Sequence, residues 1–124
     1  MKKMVLLYNF SKNRFQLIKN TLLPLGCQVK AVVKKDYAET IGYLIGETGF
    51  ESTGKTPLDE TFSDEMMILC GIGGEMIDVI LAALRINGVG RIDLKAIVTP
   101  INIHWDSVTL YKAVKADHEE MHKK

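Results

Sequence analysis

The feature that most constrains the fold is one pattern that occurs in both halves of the chain. In the first half the apolar run MVLLYNF, residues 4–10, precedes a helix-like stretch and then VKAVV, residues 29–33. In the second half MMILCGI, residues 66–72, precedes another helix-like stretch and then LKAIV, residues 94–98. A short apolar run followed by apolar residues at helical spacing indicates a strand and then a helix. Two related halves are therefore predicted.

Residues that helices use at their ends mark the predicted helices. Ser11 is a good N-cap for the first helix, and Asp36 can cap a second one that ends near Gly46. Asn87-Gly88 closes the third, and the fourth begins at about Asp106. Each half thus reads strand, helix, strand, helix, and the whole chain is predicted to be (βα)4.

The strands of each half differ in how apolar they are. The first strand is apolar throughout, as expected when both faces are covered, whereas the second carries Lys30 or Lys95. Strands 1 and 3 are therefore predicted to be central. With right-handed crossovers we favour a four-stranded parallel sheet of order 2-1-3-4, with two helices on each face. The alternative is a ferredoxin-like duplicated βαβ sheet, which has the same central pair but runs the halves antiparallel.

Length and composition fit a single α/β domain over residues 1–124. A chain of 124 residues has the size of one domain, and 47% apolar with 25% charged residues is typical of a folded core. Residues 47–65 are rich in Gly, Thr, Ser and acidic residues and follow no periodic pattern. This stretch predicts a long irregular loop.

Charge and hydropathy exclude several classes of partner. The net charge of +1 gives no overall field toward nucleic acid or anionic lipid, so neither partner is expected. The basic start MKKM lacks the apolar core and cleavage site of a secretion signal, and no apolar run approaches the ~20 residues of a membrane span. Two cysteines make no disulfide framework. The expected location is cytoplasmic.

Residues 49–56, GFESTGKT, match the phosphate-loop pattern GxxxxGK[ST]. In that motif backbone amides and a Lys bind phosphate, and a hydroxyl binds magnesium. The motif needs a preceding strand and a following helix, whereas here a helix precedes and no apolar stripe follows. A flexible loop is the favoured interpretation.

Residues 118–122, HEEMH, match HExxH, in which two histidines bind zinc and Glu acts as general base. Catalytic zinc needs a third protein ligand, and among the three histidines only His104 remains to supply it. A charged terminal turn is favoured, and no metal or other cofactor is expected.

A candidate ligand site follows from the parallel arrangement. Open parallel sheets bind ligands beyond the carboxyl ends of strands where the strand order reverses, here between strands 1 and 3. Turns that open helices at this place favour a phosphate or carboxylate. The loop after strand 4, which holds the single Trp, adds polar side chains. The candidate ligand-binding residues are Asn9, Ser11, Lys12, Gly71, Gly73, Gly74, Thr99, Asn102 and Trp105.

No catalytic residue can be named from the sequence. Cys70 ends the third strand before a helix, where a thiol pKa can be lowered, but a buried apolar role is the favoured reading. All three histidines fall in the last segment of the chain, so we propose no Ser-His-Asp or Cys-His arrangement. Whether the protein is an enzyme stays open, with binding favoured over catalysis.

Three stretches together resemble a small bacterial family catalogued only as a domain of unknown function. They are DEMMILCG (residues 64–71), LKAIVTPIN (residues 94–102) with Trp105, and residues 36–46. The resemblance covers most of the chain and implies no activity. The residues that match the family's pattern are Asp64, Glu65, Lys95, Thr99, Pro100, Asn102 and Trp105. Neither the GKT triplet nor HEEMH is part of that pattern.

Three functions remain open at this point. The favoured one is binding of a small anionic ligand at the strand ends without catalysis. The alternative is a protein-interaction or homo-oligomeric accessory domain, indicated by the near-zero net charge, six methionines and Trp105 in a loop. A nucleotide or zinc hydrolase is the least favoured, because it depends on the two motifs in unfavourable contexts.

Overall fold

Strands and helices alternate along the chain as the sequence predicts. The computed structural model describes residues 2–55 and 61–121. The first half holds β1 (Met4–Tyr8), α1 (Lys12–Leu22), β2 (Gln28–Val32) and α2 (Ile41–Leu44). The second holds β3 (Met66–Cys70), α3 (Gly74–Ile86), β4 (Leu94–Ile97) and α4 (Ser107–Met121). Short 3-10 turns lie at Leu23–Leu25, Lys34–Asp36 and Asn102–His104.

The predicted caps of the first and last helices are present. The Ser11 hydroxyl accepts a hydrogen bond from the Arg14 amide at 3.2 Å. The Asp106 carboxylate accepts one from the Thr109 amide at 2.7 Å. Both side chains satisfy backbone donors that the first turn of a helix leaves without partners.

The second helix is much shorter than predicted and does not begin at Asp36. It begins after Thr40, whose hydroxyl accepts from the Tyr43 amide at 3.1 Å. The reason lies in tertiary hydrogen bonds. The Ile41 amide donates to the Trp105 carbonyl, and the Tyr37 carbonyl accepts from the Ser107 amide. Bonds to the loop before α4 therefore replace the i to i−4 bond that would have continued a helix through this point.

The sheet has the predicted strand order, β2-β1-β3-β4, with the two fully apolar strands in the centre. Within each half the strands are parallel, but β1 and β3 are antiparallel, with Met4 opposite Cys70 and Tyr8 opposite Met66. The all-parallel preference was therefore wrong, and the halves run antiparallel as in the alternative. Burial on both faces makes a strand apolar whichever way it runs, so the pattern carried no information about direction.

Each face of the sheet is covered by two helices, as predicted. Because side chains of a strand alternate between faces, Val5 and Leu7 lie on one face while Leu6 and Tyr8 lie on the other. Apolar residues of α1 and α3 bury the first face. Residues of α2 and α4, with Phe62 from the segment before β3, bury the second. The sheet is therefore the middle layer of three.

Across residues 2–55 and 61–121, none of the helices combines the length and apolar composition that crossing a membrane requires.

Candidate functional site

The antiparallel centre of the sheet divides the predicted site. The carboxyl end of β1, followed by Asn9, Ser11 and Lys12, lies at one edge of the sheet. The carboxyl end of β3, followed by Gly71, Gly73 and Gly74, lies at the opposite edge. Because β4 is parallel to β3, the chain that leads to Thr99 and Asn102 leaves the sheet at that second edge. The candidate residues do not form one crevice.

Asn9 has a structural role at the end of β1. Its backbone takes the left-handed conformation, with φ of 64°, which Asn tolerates better than most residues. Its side-chain amide donates to the carbonyls of Phe62 and Asp64, each at 3.0 Å. Its Oδ1 accepts from the Tyr37 hydroxyl at 3.2 Å. These bonds attach the segment before β3 to the end of β1.

The glycines at the opposite edge form the turn into α3. Gly71 has a φ of 69°, in the region that glycine adopts without strain. Gly73 stands at the N-cap of α3, and Gly74 is the first residue of that helix. Ile72, between Gly71 and Gly73, is buried. The turn is explained by its backbone geometry.

Thr99 and Asn102 are engaged with each other in the loop after β4. The Asn102 Oδ1 accepts from the Thr99 amide at 2.8 Å, and the Thr99 hydroxyl accepts from the Asn102 amide at 3.0 Å. The Asn102 side-chain amide donates to the Ile97 carbonyl at 3.0 Å. Trp105 packs against the core that α4 covers. This loop is built to turn the chain from β4 into α4.

A cleft with ligand-sized volume lies at the carboxyl ends of β1 and β2. We call it the β1–β2 cleft, and its volume is about 460 Å³. Its walls are mainly apolar, with two lysines and the Asn9–Tyr37 pair among them. Its lining residues are Leu7, Asn9, Phe10, Lys12, Phe15, Ala31, Val32, Val33, Lys34 and Tyr37. This is the carboxyl edge of a parallel strand pair, as the sequence-based argument required, but within one half.

Positive charge is concentrated at this cleft. Lys12, at the start of α1, and Lys34, in the turn after β2, both line it, and both are exposed. Lys12 is also the first residue of α1, whose N-terminus carries the positive end of the helix dipole. Among the described residues that line the cleft there is no Asp or Glu. The charged side chains of the described lining are therefore all positive.

Of the predicted site residues, Asn9 and Lys12 line this cleft, and Ser11 lies beside them as the cap of α1. Residues of β2 and of the turn after it, including Val33, Lys34 and Tyr37, also line the cleft and were not predicted. A signal for them existed. Once strands 1 and 2 are taken as a parallel βαβ unit, the residues following strand 2 must share an edge with those following strand 1.

A second, strongly charged depression lies where β3 and β4 begin. It has a volume of about 170 Å³ and is lined by Asp64, Glu65, Arg91, Asp93, Leu94, Lys115 and His118. Its charges are largely paired within the protein. Glu65 accepts two hydrogen bonds from Arg14, at 2.7 and 3.0 Å, and Asp64 accepts one from Lys115 at 3.1 Å. Arg91 pairs with Asp93 at 2.6 Å. The pairs of Arg14 with Glu65 and of Lys115 with Asp64 connect α1 and α4 to the segment before β3, whereas Arg91 and Asp93 pair within one loop.

The segment that matches the phosphate-loop motif, residues 49–56, binds a carboxylate of its own chain. Glu39 accepts from the Ser52 hydroxyl at 2.6 Å and from the Thr53 amide at 2.7 Å. These bonds hold the pKa of Glu39 below its usual range. The segment follows α2 and not a strand, and Phe50 packs its ring directly on Gly42 of that helix. Thr56, the last letter of the motif, lies outside the described residues.

The zinc-like motif is described in part. His118 lies on α4, and His122 lies outside the described residues. In residues 2–55 and 61–121 there is no group of three or more His, Cys, Asp and Glu side chains that could hold a metal ion.

Cys70 is buried at the end of β3, 1% exposed. Burial is the main cause that raises the pKa of its thiol above the usual value, and the nearby charge of Glu47 adds to the rise. A raised pKa leaves little of the reactive thiolate at neutral pH. Cys70 therefore packs as an apolar residue.

Residues 65–121 match a known family model. It is described as a domain of unknown function (DUF3783). The match confirms the resemblance to a domain-of-unknown-function family for the second half of the chain, while residues 36–46 lie outside it. No curated protein matches the chain, and no solved structure does. The matched range contains β3, α3, β4 and α4, whereas every residue of the β1–β2 cleft precedes it.

Proposed function

We propose that this protein binds a small organic anion with an apolar body in the β1–β2 cleft, without catalysing a reaction. The single observation that carries the proposal is the lining of that cleft, in which two lysines and a helix N-terminus border an otherwise apolar wall. Ligand pockets in proteins have this composition, with a few polar groups that fix the orientation of the ligand.

The size of the cleft fits a small molecule. Its volume of about 460 Å³ falls within the roughly 300–1,000 Å³ of typical ligand pockets. The apolar side chains Phe10, Phe15 and Val33 would contact the body of the ligand. The ammonium groups of Lys12 and Lys34 would hold its carboxylate or phosphate, since opposite charges attract strongly next to a low-dielectric wall.

Binding without catalysis is proposed because of which side chains are present. Among the described residues that line the cleft there is no His, Cys, Asp or Glu, and its two lysines are exposed, whereas catalytic lysines are activated by burial. Asn9 and Tyr37 do have polar atoms there, but these atoms bond to each other. The cleft therefore offers charge and apolar contact for recognition.

The test is titration calorimetry and thermal shift with matched small probes. An aryl carboxylate should bind, the aryl alcohol of the same shape should bind more weakly, and inorganic phosphate should show what charge alone contributes. At a ligand concentration of about 100 Kd, a bound ligand should stabilise the protein by about 2.7 kcal/mol.

Lysine variants distinguish this site from general charge effects. Lys12→Gln and Lys34→Gln should each weaken carboxylate binding, whereas Lys35→Gln, a neighbouring surface lysine outside the cleft lining, should leave it unchanged. Equal effects of all three variants, or binding of carboxylate and alcohol with the same affinity, would contradict the proposal.

A further inference from the structure

The outer surface of α3 carries apolar residues where a surface helix normally has polar ones. Val79 is 48% exposed and Ile86 is 80% exposed. Seven residues make almost two helical turns, so these side chains lie on one line, and Ala82 and Ala83 lie between them. We call these four residues the α3 stripe. The buried residues Ile80 and Leu84 face the sheet, so the stripe is separate from the core-facing side.

Two exposed charges of opposite sign lie along one side of the α3 stripe. Asp78 and Arg85 are also seven residues apart, so they share a second line along the helix, beside the first. When two copies of one helix pack antiparallel, each flank meets the same flank of the copy running the other way. Asp78 then faces Arg85 of the second copy, and Arg85 faces Asp78.

The apolar residues obey the same symmetry. About an axis near Ala82 and Ala83, Val79 of one copy is opposite Ile86 of the other. The alanines at the crossing point allow the helices to approach closely, at the short end of the ~8–10 Å range of packed helices. Both the apolar and the charged residues are thus self-complementary, as a twofold interface requires.

We infer that the α3 stripe is the interface of a homodimer in which two copies pack α3 antiparallel about a twofold axis. The partner that covers this surface is a second copy of the chain. Its α3 supplies apolar side chains opposite Val79 and Ile86, and charges of opposite sign facing Asp78 and Arg85. The residues lining the β1–β2 cleft are not part of this surface.

The first test measures dimerisation of the full chain by sedimentation over a range of concentrations. The wild-type protein should form a dimer as concentration rises. Ile86→Glu should raise the dissociation constant of the dimer by at least about tenfold, equivalent to about 1.4 kcal/mol. Ile101→Glu is the matched control, because Ile101 is 71% exposed but lies in the loop after β4. A wild-type monomer at every soluble concentration, or equal effects of both variants, would overturn the inference.

The second test is a charge exchange that reports on orientation. Arg85→Asp should weaken the dimer at low salt, and Asp78→Arg combined with Arg85→Asp should restore it, since the exchanged charges again face opposite ones. Added salt should reduce the effect, because charges at a solvated interface edge are screened over about 10 Å at 0.1 M. Unfolding midpoints verify that each variant is folded. Failure of the double variant to recover dimerisation would exclude the antiparallel arrangement.

Discussion

The Tyr8 hydroxyl lies 2.7 Å from the Ser107 hydroxyl in the core, and this hydrogen bond joins the end of β1 to the first residue of α4. Both residues are 0% exposed, so neither hydroxyl has water as an alternative partner. Burial raises the pKa of Tyr8 well above its usual value. The pair links the first strand to the last helix.

Tyr8→Phe should therefore destabilise the protein by about 1–3 kcal/mol, because the Ser107 hydroxyl is left buried without its partner. Ser107→Ala should have a similar effect through Tyr8. The double variant should cost less than the sum of the two, since it leaves no hydroxyl unpaired. Urea unfolding of the four proteins measures this coupling. Additive effects would show that the hydrogen bond contributes nothing.

Asn9 combines a left-handed backbone with three side-chain hydrogen bonds, so two substitutions should have different effects. Asn9→Ala should destabilise the protein by about 3 kcal/mol, through loss of these bonds at about 1 kcal/mol each. Asn9→Gly loses the same bonds but adopts the positive φ freely, and should be more stable than Asn9→Ala by about 1 kcal/mol. Equal unfolding free energies would argue against backbone strain at this position.

The Tyr111 hydroxyl donates to Asp64 at 2.7 Å, and this bond should make stability depend on pH at both extremes. It is the main cause that lowers the pKa of Asp64, and it raises the pKa of Tyr111 to about 12. A lowered carboxyl pKa contributes stability above its unfolded value of about 3.9, which is lost as pH falls through the folded value. A raised phenol pKa contributes stability below about 10, which is lost as pH rises toward 12.

Tyr111→Phe should therefore be less stable than the wild type by about 1 kcal/mol between about pH 5 and 9, with a smaller difference in stronger acid. The value is modest because the Asp64 side chain is 42% exposed and solvent screens the charge. The substitution keeps the ring stacked on Phe62, whose centroid lies 4.0 Å away. Unfolding measured against pH for both proteins tests this, and a difference independent of pH would contradict it.

The hydrogen bonds of Glu39 should protect the backbone of residues 52 and 53 from hydrogen exchange with solvent. Glu39→Gln loses the negative charge that the Ser52 and Thr53 donors bind, so hydrogen exchange of the Thr53 amide should accelerate. The same should occur in the wild type as pH falls through the lowered pKa of Glu39, once the intrinsic pH dependence of exchange is subtracted. Lys55→Gln, a change in the same segment, is the control. Unchanged exchange in Glu39→Gln would contradict the proposed anchor.

The sequence predicted the order of the strands but not their direction, and the physical reason is specific. Complete burial makes β1 and β3 apolar in either direction, so the residues place these strands in the centre and leave their relative orientation open. The predicted site depended on that orientation, because only parallel strands place their carboxyl ends at the same edge of the sheet. Asn9 and Lys12 were correctly placed at a strand end, but Gly73 and Asn102 belong to the other edge of the sheet. Lys34 and Tyr37 could have been found from the first βαβ unit alone.

Polar residues were harder to interpret than apolar ones. Asn9 and Asn102 were predicted as ligand contacts because of their positions after strands 1 and 4, but an Asn side chain at such a position can also bind the backbone. In the structure the Asn9 side-chain amide donates to the carbonyls of Phe62 and Asp64, which are distant in the sequence. The Asn102 side chain bonds to the Thr99 amide and the Ile97 carbonyl, which are close in the sequence. For Asn9 the choice depends on which distant carbonyls the fold brings near, and no local pattern contains that information, whereas the bonds of Asn102 are local.

The antiparallel seam between β1 and β3 also has an entropic consequence. Met4 pairs with Gln28 within its own half but with Cys70 across the seam, a partner more than twice as far along the chain. Closing a longer loop costs more chain entropy, but each doubling of length adds only about 0.6 kcal/mol. The seam between the halves is therefore non-local and yet adds little to the entropic cost of folding, so two separately closed βαβ units can form one continuous sheet.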